Sequence, residues 1–288
     1  MMLFKIIIAA INRLGTYMRL GYHSMNLAAA VAAFTSLAAL PALADTAWDE
    51  VKNSVFGKHA IEDGHGIVTL SAPYRPEDMR AVPIGIDAVF ADGRTVKTVN
   101  FIIDENPTPV VAVFHMGPGR EQVSLKANFR VDRQSDVRAV VEASDGKLYM
   151  VSQLVKFAGG QSSCSAPPTG DPAEILASMG RMKFAQLAGA STASGVLSRG
   201  ALDLSHPNHT GMVLDQQTLL YTPVKFVEEI KVNQGDEPVF TAEGSIALSQ
   251  NPHLEFDMKR NGATDIEVSA RDIDKGAWSA KFPVAPQS

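Results

Sequence analysis

A chain of 288 residues with 45% apolar and 20% charged side chains carries enough apolar material for real cores and is long enough for two domains. The formal net charge of -5 and a pI near 5.8, without any basic run interleaved with aromatics, argue against nucleic acid or another polyanion as partner. The single cysteine, Cys164, excludes an internal disulfide.

In chain order, residues 1–44 read as a targeting segment. Lys5, Arg13 and Arg19 precede an apolar stretch from Leu27 to Leu40, and Pro41-Ala42-Leu43-Ala44 supplies the small residues a signal peptidase reads. Cleavage is expected after Ala44, with Met1, Met18 or Met25 as the start. The alternative, a membrane anchor, is opposed by an apolar run shorter than the roughly 20 residues a span requires. Export to an oxidising compartment, with no stable membrane insertion after cleavage, is the expectation.

Residues 45–157 form the first expected domain. Trp48, Val51, Val55 and Phe56 fall at helical spacing and predict a short amphipathic helix. Period-two runs then predict strands over 67–71, 82–90, 95–103, 110–116, 123–131, 137–143 and 147–155, with turns at Asp92-Gly93 and Asp145-Gly146. Seven short strands without an intervening long helix suggest an antiparallel sandwich. Asp104-Glu105-Asn106-Pro107 offers a carboxylate pair for acid-base work or a metal, but its position between a strand and Pro107 favours a solvated turn. His59, His65 and His115 are scattered without ligand spacing.

Residues 158–195 read as a tether that holds Cys164 out in solvent. Gly159, Gly160 and Gly170 loosen the backbone, Pro167 and Pro168 block helix and ladder, and Ser162, Ser163 and Ser165 give no local reason for burial. With no Lys, Arg or His within five positions of Cys164, the thiol should keep its reference pKa near 8.5 and be a few per cent thiolate at pH 7. That suits cargo loaded by another protein better than a self-activated nucleophile. Asp171-Pro172-Ala173-Glu174 is a helix start, and Leu176, Met179, Met182, Phe184 and Leu187 extend the predicted helix to about Gly189, before a small-residue linker to Gly195. Residues 196–288 predict a second all-β domain. Its Ser205-His206-Pro207-Asn208-His209-Thr210-Gly211 segment places two imidazoles three apart, and Cys164 could add a soft third ligand. A loop shaped by Pro207 and Gly211 is the preferred account, so no metal and no cofactor is assigned.

Several separated motifs, taken together, resemble the SoxYZ carrier of bacterial thiosulfate oxidation, with its two parts fused as in the type found beside quinoprotein dehydrogenases. The SoxY-like half rests on Trp48-Asp49-Glu50-Val51, Ile103 to Pro109, Asn128-Phe129-Arg130-Val131, Ser144 to Met150, and Ala158-Gly159-Gly160 running on to Cys164. The SoxZ-like half rests on Ser205-His206-Pro207 with Thr210-Gly211, Val239 to Glu243, and Ser249-Gln250-Asn251-Pro252. The resemblance implies an all-β protein of two immunoglobulin-like sandwiches joined by a flexible loop and a short helix. It also implies a periplasmic protein without turnover of its own, in which Cys164 bears sulfur intermediates on a glycine-rich arm. Implied partners are periplasmic sulfur-oxidation enzymes or c-type cytochromes, and a quinoprotein dehydrogenase. Two alternatives stay open: a docking module for such a dehydrogenase or cytochrome with an incidental thiol, and a thiol or metal protein using Cys164 with His206 and His209.

Overall fold

A computed structural model describes residues 47–157, 159, 162–192, 195–259 and 261–285. The expected targeting segment, and Gly160 of the expected arm, lie outside the described residues.

Helix α1 (Ala47–Val55) opens the described chain. It is followed by strands β1 (Ile61–Asp63), β2 (Val68–Ser71), β3 (Val82–Val89), β4 (Val96–Ile103), β5 (Val110–Met116), β6 (Gln122–Phe129), β7 (Ser135–Ala143) and β8 (Leu148–Val155). After helix α2 (Pro172–Ser178) come β9 (Met182–Thr192), β10 (Gly195–Leu204), β11 (Val227–Gln234), β12 (Glu237–Gly244), β13 (His253–Met258), β14 (Asp265–Asp272) and β15 (Ala277–Pro283). Alternating burial, as in β14 where Ile266, Val268, Ala270 and Asp272 point inward, is what a strand with one wet face requires. The β7–β8 hairpin turn carries Gly146 at φ +83, and the turn from β3 to β4, which crosses from one sheet to the other, carries Gly93 at φ +84; both take the left-handed conformation that tight turns favour in glycine.

The strands form two sheets that share one core. The nine-stranded sheet has the order β1-β8-β7-β4-β5-β12-β11-β14-β15, and the six-stranded sheet β2-β3-β6-β13-β10-β9. Every pairing is antiparallel except that of β1 with β8, which is parallel. Helix α1 covers the outer face of the larger sheet, packing Val51 and Phe56 on Ile102, Val140 and Leu148. Among the described residues no helix is long and apolar enough to cross a membrane.

The fold is all-β as expected, and both sheets run through the junction between the two halves. Strand β5 pairs with β12 from Phe240↔Met116 to Gly244↔Ala112, and β6 pairs with β13 from Leu254↔Ala127 to Phe256↔Leu125. The aromatic series Phe101, Phe114, Phe240 and Phe256 carries the core across, with successive centroids 5.7, 5.3 and 5.2 Å apart. Gly117 makes the seam close: a Cβ there would lie 1.8 Å from the Pro238 carbonyl oxygen. Arg120 and Asp257, whose side chains are almost wholly buried, form an ion pair of 2.5 Å across the same seam.

The helix expected to reach Gly189 stops at Ser178. Asp171 caps its start by accepting from the amides of Ala173 and Glu174, but Gly180, at φ +83, turns the chain, and its Cα hydrogens face the Trp278 ring at a distance where a Cβ would clash at 1.9 Å. Met182 and Phe184 then lean on the core at strand spacing. The supposed linker is likewise ladder, with Thr192 opposite Gly195 in the β9–β10 pair. Leu176, Met179 and Met182 satisfy a helical period while Met182 and Phe184 satisfy a strand period, and the turn at Gly180 decides between them.

Candidate functional site

The site is built where the two halves meet around residues 162–170. Strand β6 ends at Phe129, and the chain after it passes Arg130, Val131 and Asp132 before β7 begins. Asn106 holds this passage: its Nδ2 donates to the Arg130 carbonyl at 2.8 Å and its Oδ1 accepts from the Asp132 amide at 2.9 Å. Asn106 is 5% exposed, and its neighbour Asp104 is buried in a bidentate pair with Arg138 at 2.7 to 3.0 Å. The segment read as a solvated turn is therefore an internal brace, because its polar groups meet partners that lie 24 or more residues away in sequence. Replacing Asn106 with Ala leaves two buried backbone groups unpaired, and thermal unfolding should show a loss of about 1–3 kcal/mol.

Asp132, so positioned, binds the cysteine segment. Its Oδ1 accepts from the Cys164 amide at 3.0 Å and from the Ser162 hydroxyl. From the other half, Thr210 Oγ1 donates to the Cys164 carbonyl at 2.5 Å, and Gln250 exchanges bonds of 2.8 Å with the backbone N–H and C=O of Thr169. Cys164 is consequently 1% exposed, which overturns the expectation of a thiol held in solvent. Ser162, one of the serines that argued against burial, helps to permit it: a polar group can be buried when hydrogen-bonded, and a carboxylate 30 positions away accepts from its hydroxyl. Of the expected arm glycines, Gly159 and Gly170 take left-handed φ values of +94 and +107.

The electrostatics differ from the expectation too. Burial, reinforced by the Asp132 carboxylate, pushes the Cys164 thiol up to about 12, against the opposing influence of Arg130. At pH 7 a thiol of that pKa is thiolate in about one part in 100,000, so in this position it is inert. Arg130, also buried, is pulled down to about 10 by desolvation.

The imidazole pair does not converge on the thiol. His206 is fully buried, with Nδ1 2.7 Å from Asn208 Oδ1 and Nε2 3.3 Å from Asp272 Oδ2, and its ring meets the Trp278 edge. The acid nearest His206 in sequence, Asp203, pairs with His253 instead; the end of β14 provides the carboxylate that meets His206. His209 is partly buried, with Nδ1 unpartnered. Burial lowers the pKa of both rings. Among the described residues no group of three His, Cys, Asp or Glu gathers as a metal set. Of the other described histidines, His59 Nδ1 lies 2.7 Å from the Phe56 carbonyl and His65 pairs with Asp63, both locally, whereas His115 Nε2 lies 2.9 Å from Glu243 of the other half and His253 Nδ1 lies 2.7 Å from Asp203.

The described residues thus form a double β-sheet protein with its one cysteine pinned at the junction of the two halves. The family model described as sulfur oxidation protein SoxY matches residues 52–161, and that described as sulphur oxidation protein SoxZ matches residues 189–283. The chain thus carries a SoxY domain and a SoxZ domain in one polypeptide. Among solved structures it is similar to the sulfur carrier protein SoxY from Chlorobium limicola f thiosulfatophilum, with 25% identity over 38% of this chain and 94% of that one and a TM-score of 0.31. A glycosyl hydrolase family 2 member from Bacteroides cellulosilyticus DSM 14838 matches 71% of this chain and 24% of its own at 9% identity and a TM-score of 0.19. No curated protein matches the chain.

Proposed function

We propose that the protein is an exported, periplasmic carrier that holds sulfur-containing intermediates covalently on Cys164 for partner oxidising enzymes, without turnover of its own. The observation that carries this reading is the placement of the chain's one cysteine just beyond the SoxY match, on a segment without regular structure that both halves hold by a few side-chain hydrogen bonds. Each such bond contributes about 0.5–1.5 kcal/mol net, so a partner that binds the released segment can undock it. In the docked position the buried thiol is shielded; released into water it regains an ordinary pKa and can react. Loading thiosulfate onto a thiol forms a sulfur–sulfur bond and releases one proton and two electrons, so an oxidising partner such as a c-type cytochrome must accept the electrons.

Intact mass of the protein from its native periplasm, before and after reduction, with the shift located by peptide mapping, tests the proposal. A reducible adduct of sulfur or sulfonate units on Cys164 is expected, and it is absent from Cys164→Ser. A Cys164→Ser protein that sustains full pathway flux would overturn the reading.

The second reading is a docking module for a c-type cytochrome or a quinoprotein dehydrogenase. It draws on an ordered apolar hairpin in the SoxZ half, where Leu214 bridges Tyr221 and where Leu219, Leu220 and Tyr221 are 69%, 68% and 66% exposed. Under that reading Cys164→Ser leaves partner affinity and flux intact.

Docking also has a pH signature. The Cys164 pKa is raised by folding from an ordinary 9.0 to about 12, so the folded state holds its proton where the unfolded or released segment has lost it. The thiol's contribution to docking is complete below about 9 and falls by about 1.4 kcal/mol per pH unit as pH rises from there toward about 12. Ultraviolet thiolate absorbance, taken as the difference from Cys164→Ser, should rise late, well above pH 9.

A further inference from the structure

Arg130 is a buried cation with no acid to answer it. The residue is 5% exposed, and its Nη1 donates to the carbonyls of Ile246, at 3.2 Å, and Leu248. Among the described residues no carboxylate lies within ion-pair distance of it, whereas the other buried arginine, Arg120, is paired with Asp257, and the partly buried Arg138 is paired with Asp104. Arg80, the nearby guanidinium that repels it, is itself satisfied by Asp78 at 2.8 Å. Carbonyl dipoles leave the charge of Arg130 uncompensated, and holding an unpaired charge away from water is expensive enough that folds seldom retain one without use.

Two features place that charge beside the cysteine segment. Charge on the guanidinium and charge on the Cys164 sulfur favour one another. Arg130 also lines a cleft of about 110 Å³ together with Asp78, Arg80, Gln250 and the segment from Ala166 to Thr169. The bare thiol is neutral and cannot answer the charge, and Asp132 is occupied by the Cys164 amide and the Ser162 hydroxyl. An anion borne on the sulfur can.

We propose that Arg130 is the recognition residue for a negatively charged group attached to Cys164, so that the docked segment holds anionic sulfur adducts more firmly than neutral ones. This rests on the carrier reading of Cys164. The residue acts as a positioning group: it forms an ion pair with the adduct's terminal oxygens and takes no part in making or breaking the sulfur–sulfur bond. Asp132 opposes it through like charge, so the ion pair is also what allows an anion to share this pocket with a carboxylate.

The test loads the full chain chemically, without any partner protein. Tetrathionate transfers a thiosulfonate group to the thiolate and releases thiosulfate, leaving an anionic adduct on Cys164; methyl methanethiosulfonate transfers a methylthio group and releases methanesulfinate, leaving a neutral one. Loading is confirmed by mass, and release by a small thiol reductant is timed. In the native sequence the anionic adduct should be released more slowly than the neutral adduct, after each rate is divided by that of the same adduct on unfolded protein, by about tenfold or more. Arg130→Gln should abolish the difference and Arg130→Lys should keep part of it. Equal corrected rates in the native sequence would overturn the proposal without any variant having to fold. So would a difference that survives in folded Arg130→Gln. Free sulfate gives the remaining arm: if it raises the melting temperature of Cys164→Ser protein in an Arg130-dependent way, the site takes a free oxyanion and the covalent assignment is overturned. Because loading is chemical, failure here is distinct from failure of the carrier reading, which is judged by the mass of native protein.

Discussion

Asp132→Ala should speed thiol–disulfide exchange at Cys164 at pH 7 by about a hundredfold or more, because the thiolate fraction rises about tenfold for each unit by which the thiol pKa falls from its docked value toward an ordinary one. The Asp132 carboxylate accepts both the Cys164 amide and the Ser162 hydroxyl, so its removal deletes two of the bonds that hold the segment to the SoxY half. Thr210 and Gln250 then hold it from the SoxZ half alone. Loss of the carboxylate also removes a negative charge that helps to raise the thiol to about 12. Both consequences act in one direction, toward exposure and ionisation. Stopped-flow labelling with a chromogenic disulfide measures the rate, and Asp132→Asn, which keeps the acceptor oxygen and loses the charge, should fall between the two. Unchanged labelling in a folded Asp132→Ala protein would mean that the segment is held by something other than this carboxylate.

Asp257→Ala should lower unfolding stability by about 3–5 kcal/mol, the range found when one member of a buried ion pair is removed and the other is left charged. Asp257 is 3% exposed, its Oδ2 lies 2.5 Å from Arg120, and its Oδ1 accepts from the Ser124 amide at 2.7 Å. Arg120 would remain with Nη1 already lacking a partner and Nη2 bound only to a carbonyl. In a domain of this size such a loss lowers the melting temperature by roughly 6–20 °C. Replacing both partners with apolar residues of similar volume should recover much of the loss, since the desolvation cost of the charges disappears with them. Because the pair spans the seam, the variant also reports on cohesion: chemical unfolding should still pass through one transition in the parent, whose two sheets and core are continuous across the halves.

Much of the architecture was legible because strand signals are local. Alternation in Val82 to Val89 and Asp265 to Asp272, punctuated by Asp-Gly turns, reads directly as half-buried strands. Asp171 followed by Pro172 reads as a helix start for an equally local reason. The stretch from Met179 to Gly189 was misread because its apolar residues fit both periods, and the turn at Gly180 is enforced by Trp278, a residue from the far end of the SoxZ half. Asp104 and Asn106 were misread for a related reason: in isolation they form a polar turn, and only Arg138 and the Arg130 to Asp132 passage make them internal.

The sequence by itself determined that the protein is all-β, that it is built from a SoxY-like and a SoxZ-like half, and that any thiol chemistry must pass through Cys164. The first needs only periodicity, the second rests on the family resemblance that the ordered motifs carry, and the third on a residue that occurs once. Tertiary structure alone decided that the halves share both sheets, that Cys164 is buried rather than displayed, and that its neighbours are Asp132, Arg130 and Thr210. Burial and pKa depend on groups brought within a few ångströms by folding, and the partners that set them here lie 32 and 46 positions from Cys164 in sequence. A window of local sequence contains neither the carboxylate that binds the segment nor the guanidinium that waits beside it.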